Sequence, residues 1–591
     1  MEHLLGYNIT MDDLKDFRQL GSKTPGHPEY GVTDGVELTT GPLGAGMASA
    51  VGFAIGEKHM AAEFNTKKHN IFDHYTYVLF GDGCFMEGVT SEALSLAGHL
   101  KLNKLICLYD DNNITIDGDT NLTLSEDVEM KFKSNGWNVM KCSGDDLEAV
   151  DKCIEEAKKS DKPTMIQCKT IIGLGLPNKQ GTNKSHGEPP GVSELELMKK
   201  AYGVTEEFVV PEEVQKLYNE VTKKKIEEYD KWMKMYEEYK IENPELNADL
   251  ERRLKRDVSA IEPLFKEVIP ASATGEATRV SSGKIFLEIA KVLPEMIGGT
   301  ADLGGSVKVV LPGTPFHLDP KGRNIHFGIR EHAMGNICNA LAIYGGMISY
   351  CSTFFVFSDY LRPTIRLAAI SNYPSIYVFT HDSIGVGEDG PTHQPIEHLF
   401  AYRSMPDCTV IRPCDANEAR FSWKSAIENT SGPTVLVYSR QNTCILDRTI
   451  YNSAEGALKG GYILKDYGTP EVIIIATGTE VDIAISAAEK LYNEEKIGVR
   501  VVSLPSWEIF EKHSEEYRES VLPRKMKARV SVEAGLTFGW ERMIGTYGVA
   551  VGMTTFGTSG PAGVLFKHFG ITPEGVVAAA KQSMQNVKDF Q

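Results

Sequence analysis

The sequence predicts an α/β protein of three α/β domains with mainly parallel sheets, and three observations carry that prediction. Short apolar, β-branched runs alternate with stretches of helical spacing, as at residues 75–80, 90–100 and 105–109. Polar or glycine-rich clusters follow the strand runs, at the carboxyl ends where parallel sheets bind ligands. The same rhythm returns after residue 271 and again after 458, in a chain of 591 residues, long enough for three or four domains. The predicted division is 1–200, a helical linker at 201–270, then 271–455 and 456–591.

Taken in order, residues 12–15 begin a short helix, and 22–29 form a loop of turn residues. His27 stands in that loop between Gly26 and Pro28, and an exposed loop histidine is its ordinary reading. Residues 39–46 carry Gly41, Pro42 and Leu43 into an Ala- and Gly-rich helix predicted over 47–57. A turn before a helix start can meet an anionic or aromatic ligand.

The strand at 75–80 ends on Gly81-Asp82-Gly83, and the strand at 105–109 ends on Asp110-Asp111-Asn112-Asn113. Joined by the helix at 90–100, these form a βαβ unit that brings both clusters to one end of the sheet. Asp82 and Asn112, thirty positions apart, can then converge on a hard divalent cation. Mg²⁺ suits such a sparse set of oxygens, because it keeps waters and takes phosphate oxygens for the rest of its shell. The glycines let the backbone approach a diphosphate closely. Alone, each cluster is a common turn; together at paired strand ends they are specific.

Thr164–Lys169 is a strand, followed by a Gly-rich loop ending in Ser185-His186-Gly187. Residues 205–256 read as long amphipathic helices, with Lys223-Lys224-Lys225 on a solvated face. Beyond 271, Arg279 starts a helix, and Glu331 sits near a helix start beside a strand end, where an acid is first a partner of the helix dipole. Phe354, Phe357 and Tyr360 recur every third residue and can share one face; core packing is the ordinary role of such a stripe. The strand Ile376–Thr380 ends on His381-Asp382-Ser383, and the strand at 434–439 ends on Arg440. Arg279, His381 and Arg440 could together clamp a phosphate, since arginine makes bidentate phosphate contacts. In the last domain Val472–Ala476 leads to a turn at Gly478, which lacks the G-x-G-x-x-G of a dinucleotide site.

Composition excludes some partners. A net charge of −18 argues against nucleic acid or an anionic membrane as the main partner, though a basic pocket for phosphorylated substrates remains compatible with it. No apolar run approaches the roughly 20 residues of a membrane span. The first residues are polar and acidic, unlike a secretory or transit peptide, and ten cysteines lie outside any C-x-x-C pair, so cytoplasmic, reduced thiols are expected.

The stretch SKTPGHPEYG…TTGPLGAGMASAVGFAIGEK resembles transketolase, and the likeness continues through GDGCFMEG, GIREHAMG, THDSIGVGEDGPTHQPIE, SRQN, ATGTEV and FGITPEG. It covers nearly the whole chain. The resemblance implies a cytoplasmic homodimer with a thiamine diphosphate-binding fold: a diphosphate-binding domain, a pyrimidine-binding domain and a C-terminal domain. Its activity would be transfer of a two-carbon ketol unit from a ketose phosphate to an aldose phosphate in the pentose phosphate pathway. Thiamine diphosphate and Mg²⁺ (or Ca²⁺ or Mn²⁺) are the implied cofactors, with sugar phosphates as substrates and active sites at the dimer interface.

Matched motif by motif, Asp82, Asn112 and the carbonyl of Ile114 resemble the metal ligands. Gly41, Pro42, Leu43, Gly83 and His186 resemble cofactor contacts. Glu331 resembles the carboxylate that bonds the aminopyrimidine, and Phe354, Phe357 and Tyr360 the wall around it. His27, His186 and His381 resemble histidines near the substrate hydroxyls and carbonyl. Arg279, Ser306, Asp389, His393 and Arg440 resemble further sugar and phosphate contacts. Glu87 and Glu92 match acids of the dimer interface. The family begins with several tens of residues before the position matching Leu4, so the first domain is expected to lack a strand, a helix and two histidine contacts, and the chain to be poorly active. Dihydroxyacetone synthase, another thiamine diphosphate enzyme or a non-catalytic paralogue are the alternatives.

Overall fold

The computed structural model describes residues 3–590, which divide into two compact units. The first comprises Met1–Lys255 with Phe316–Gly322 and Asn339–Gly345; the second comprises Arg256–Pro315, Arg323–Cys338 and Gly346–Gln591.

The sheet of the first unit has strands β1 (Thr76–Gly81), β2 (Leu105–Asp111), β3 (Asn138–Ser143) and β4 (Thr164–Lys169), in the order β1-β2-β4-β3 and all parallel. The helix Ala45–Phe64 packs on β1 and on the helix Gly88–His99. It runs well past the predicted 47–57, because small residues let it be buried on nearly all sides rather than along one stripe. Gly81-Asp82-Gly83 is more than a turn: extended Gly81 caps a short helix, Asp82–Met86, whose first residue is an acid suited to the helix dipole. The edge strand β1 leaves Leu79 83% exposed, apolar surface that a parallel sheet ordinarily covers. The charged helices materialise as Glu212–Glu242 and Pro244–Leu254, with Lys223, Lys224 and Lys225 exposed.

The second unit contains two larger sheets and a small antiparallel pair. The small pair is β5 (Ser272–Ala277) with β12 (Asn442–Ile445). The first large sheet contains β6 (Met296–Thr300), β7 (Asn324–His326), β8 (Ile348–Phe354), β9 (Ile376–Thr380), β10 (Thr409–Ile411) and β11 (Thr434–Tyr438). These lie parallel in the order β10-β11-β9-β8-β6-β7. Phe286, Tyr350 and Trp423 pack together in its core, their rings 4.9 and 5.3 Å from that of Phe286.

The second large sheet contains β13 (Tyr462–Tyr467), β14 (Val472–Ala476), β15 (Val499–Ser503), β16 (Arg529–Leu536) and β17 (Val549–Met553). Its order is β13-β15-β14-β16-β17, with only β13 antiparallel. Val472, Ile474, Val501 and Val530 anchor one face. Strands buried on both faces explain the continuous apolar runs that make β9 and β14 legible in the sequence.

Candidate active site

In the first unit, the register of β1 against β2 pairs Gly81 with Asp110, so Asp82 and Asn112 lie just past adjacent strand ends. Asp82 is 4% exposed. One carboxylate oxygen accepts a hydrogen bond from Tyr109, while Oδ2 is buried without a partner. Burial raises the Asp82 carboxyl above its ordinary range, the Tyr109 bond opposes this, and neighbouring Asp111 reinforces it. An orphaned, buried carboxylate oxygen costs free energy that a divalent cation would offset. Asn112 is held by its own loop: Oδ1 accepts from the Ile114 N–H at 3.0 Å and Nδ2 donates to Asp110 at 3.1 Å. The residues present thus fit a cation.

The glycine turns meet this site. A Cβ on Gly83 would lie 3.2 Å from Leu43 Cδ1, and one on Gly41, at φ 140°, would lie 3.8 Å from the ring of His27. The structure therefore brings Leu43 to Gly83 and His27 to Gly41, with Pro42 exposed between. His186 closes a 3₁₀ turn, Asn183–Ser185, whose Asn183 side chain donates to the Ile116 carbonyl at 3.1 Å. That bond ties the His186 loop to the loop that carries Asn112 and Ile114.

The second unit carries the other predicted residues. Glu331 opens the helix Glu331–Tyr344 and is 8% exposed; burial raises its carboxyl above the usual range. Phe354, Phe357 and Tyr360 line up in one row, of which Phe354 also packs against the core of the first large sheet. The chain from Phe355 to Leu361 is 3₁₀ helix, with three residues per turn, so i and i+3 side chains align. Phe354 and Phe357 stack with centroids 6.2 Å apart, and Phe357 and Tyr360 at 6.0 Å. Phe355, Ser358 and Leu361 take the buried face instead, and Tyr360 is 63% exposed.

His381, at the end of β9, is 4% exposed with left-handed backbone, φ 63°. Its ring centroid lies 3.7 Å from that of Phe354, and its Nδ1 is 2.8 Å from the Thr380 hydroxyl. Its imidazole is pushed down to about 3, first by burial and then by Arg279, Arg440 and His393. It is therefore neutral across physiological pH, a hydrogen-bonding group rather than a cation. Arg279 donates to the Ser306 carbonyl at 2.8 Å while its Nε is buried without a partner. Burial and the like charge of Arg440 lower the Arg279 guanidinium. His393 packs edge-on to Phe357 at 5.3 Å.

Arg279 and Arg440 lie near enough for their like charges to repel, and among the described residues neither is in salt-bridge range of a carboxylate. Arg279, Ser306, His381, His393 and Arg440 are thus assembled; Asp389 stands exposed on the Gly387–Gly390 turn.

Sequence reasoning missed Tyr109, which looked like one more apolar position of β2, and Thr380, the last residue of a buried strand. A separate group in the second unit, Asp359, Glu397 and His398, surrounds a buried imidazole with two exposed carboxylates. His398 Nε2 lies 3.1 Å from Asp359.

Three family models match the chain: "Transketolase, thiamine diphosphate binding domain" at residues 1–259, "Transketolase, pyrimidine binding domain" at 275–445, and "Transketolase-like TK C-terminal domain" at 460–572. The chain is 47% identical over 592 residues to a transketolase of Halalkalibacterium halodurans, an alignment spanning 99% of this chain and 88% of the relative. A transketolase of Aquifex aeolicus is also 47% identical, over 97% of this chain and 83% of its own.

Among solved structures, transketolase from Leishmania mexicana superimposes with a TM-score of 0.93 at 43% identity, covering 99% of this chain and 86% of that one. A Pichia stipitis transketolase in complex with sedoheptulose-7-phosphate gives 0.92 at 43% identity, with 99% and 87% coverage. No helix among the described residues is long and apolar enough to cross a membrane.

Proposed function

The chain belongs to the transketolase family, thiamine diphosphate-dependent transferases that move a two-carbon ketol unit from a ketose phosphate to an aldose phosphate in the pentose phosphate pathway, and from that premise we propose how its residues divide the work. When bound, thiamine diphosphate supplies the nucleophilic carbon and electron sink for breaking and remaking the carbon–carbon bond. Asp82, Asn112 and the Ile114 carbonyl would hold the divalent cation between the protein and the diphosphate. Gly41, Pro42, Leu43 and Gly83 would admit that diphosphate at the strand ends. Support for this comes from the partnerless buried oxygen of Asp82 and from glycines whose side-chain space is already bounded by His27 and Leu43.

Glu331 would hold a proton at the ring nitrogen of the aminopyrimidine, a task suited to a buried carboxyl with a raised pKa. Phe354, Phe357 and Tyr360 would pack on that ring. His27, His186 and neutral His381 would hydrogen-bond the sugar hydroxyls and carbonyl, and Asp389 would read donor stereochemistry. Arg279, Ser306, His393 and Arg440 would take the phosphate end. We further infer a cytoplasmic homodimer in which the diphosphate half of one subunit serves the pyrimidine half of its partner, with Glu87 and Glu92 in the interface. The supporting observation is that the two sets of residues belong to different compact units of the chain.

The single observation carrying the substrate reading is the convergence of Arg279, Arg440 and His393 on His381. Arg440→Ala is expected to raise KM for sugar phosphates and to spare unphosphorylated sugars. A lost charge-assisted hydrogen bond costs about 1.5–3 kcal/mol, roughly tenfold to over a hundredfold in affinity. Steady-state kinetics with matched phosphorylated and unphosphorylated ketoses check this, and an equal loss on both would make the arginine structural.

A further inference from the structure

The turn after β14, Thr477-Gly478-Thr479-Glu480, occupies a strand-end position of the kind at which α/β sheets take ligands, yet it is filled from within. Gly478 has φ 55°, and a Cβ there would lie 2.4 Å from Arg412 Cζ. Arg412 is wholly buried. Its Nε donates to Asp382 at 2.9 Å, its Nη1 donates to the Thr477 hydroxyl at 3.0 Å and carbonyl at 3.2 Å, and it pairs with Glu480. Glu480, also wholly buried, accepts from the Ala534 N–H at 2.9 Å and the Thr479 hydroxyl at 2.7 Å. The Thr477 hydroxyl donates onward to Glu533 at 2.5 Å, and Arg403 holds both oxygens of Glu533 at 2.8 Å.

Two of these contacts lead back to the substrate residues. Asp382, fixed by Arg412, is the neighbour of His381. The Thr479 hydroxyl accepts from Gln441 Nε2 at 3.0 Å, and Gln441 is the neighbour of Arg440. The Gln441 side chain also lies 2.3 Å from where a Cβ on Gly385 would stand, so it spans the loop after His381. One turn of the last sheet therefore reaches the neighbours of both groups, Gln441 directly and Asp382 through Arg412. Stability does not explain a buried cluster of two arginines and three carboxylates, since buried ion pairs are often no better than apolar packing. Their better-attested use is to fix one arrangement, and bidentate phosphate recognition depends on the arrangement of its donors.

We propose that the turn after β14 is a brace for the phosphate clamp: Thr479 positions Arg440 through Gln441, and the Arg412–Glu480 pair positions His381 through Asp382. The last sheet then sets affinity for the phosphorylated end of the sugar without touching it. Thr479 and Arg412 are positioning residues, and this role rests on the clamp reading above.

The test compares Thr479→Val, which keeps the shape and loses the hydroxyl, with Thr479→Ser, which keeps the hydroxyl. Arg440→Ala is measured in parallel. KM and kcat are read for a ketose phosphate and for the same ketose without phosphate, together with the melting temperature. Thr479→Val is expected to raise KM for the phosphorylated ketose by about three- to tenfold, the worth of one neutral hydrogen bond. The unphosphorylated ketose and kcat stay at parental values, the melting temperature falls because the buried Glu480 carboxylate also loses the Thr479 hydroxyl, and Thr479→Ser restores both KM and the melting temperature. Adding Gln441→Leu to Thr479→Val should raise KM no further, because the bond between the two residues is already gone. A parental KM in Thr479→Val beside a raised KM in Arg440→Ala overturns the brace and leaves the clamp. Equal losses on both ketoses overturn it in favour of a structural role, whatever the melting temperature. If Arg440→Ala leaves the two ketoses unchanged relative to each other, the clamp itself falls, and the brace with it.

Discussion

Glu331→Gln is expected to lower kcat by roughly two to four orders of magnitude, the range that positioned proton transfer contributes. The variant keeps the size of the side chain and its place at the start of the helix Glu331–Tyr344, so the fold should survive. It removes the proton that a buried carboxyl can hold and release. Burial raises the Glu331 carboxyl above its usual range. Glutamine in its place can hydrogen-bond but cannot titrate. Single-turnover kinetics at saturating thiamine diphosphate check the prediction. A rate near the parent would assign Glu331 to helix capping and nothing more.

Asp82→Ala is expected to abolish metal-dependent binding of thiamine diphosphate. The carboxylate has one oxygen bonded by Tyr109 and one buried without a partner, and the geometry of β1 against β2 leaves Asn112 beside it. Removing Asp82 leaves the cation without its one charged protein ligand and Tyr109 without its acceptor. The sign of the pH effect follows from burial. Asp82 takes up its proton at higher pH than an exposed carboxyl, so a cation binding there must displace protons as the pH falls. Cofactor affinity should therefore weaken on acidification, with proton release on binding growing in the same direction. Titration calorimetry in buffers of different ionisation enthalpy reads both; unchanged affinity in the alanine variant would remove the metal assignment.

Much of this architecture was legible because buried parallel strands write themselves as apolar runs. Ile376–Thr380 and Val472–Ala476 appear where the sequence places them, and polar residues follow at their carboxyl ends. Helix bounds were harder. Residues 45–64 have no polar face to mark where the helix stops, and the acid after Gly81 starts a helix that a glycine pair seemed to forbid. The aromatic stripe was ambiguous from its residues alone, because a period of three suits either a ragged α-helical face or a 3₁₀ turn, and only the backbone decides which side faces out.

The polar groups behind the site were invisible for a different reason. Arg412, Glu480 and Glu533 are far apart in sequence and wholly or almost wholly buried, and nothing local distinguishes them from surface charges. Tyr109 and Thr380 act through single hydroxyls at strand ends that otherwise count as core.

The central claim is that ketol transfer needs the Asp82 half of one subunit and the Glu331 half of its partner. Mixing Asp82→Ala with Glu331→Gln protein under subunit exchange tests it most directly. Each variant alone is inactive on this account, but a mixed dimer contains one site with both residues intact and one with neither. Random exchange should then recover about a quarter of parental activity, half the dimers being mixed and each having one working site. A mixture that exchanges subunits yet stays inactive would place both residues in a site made by one subunit, and would contradict the account.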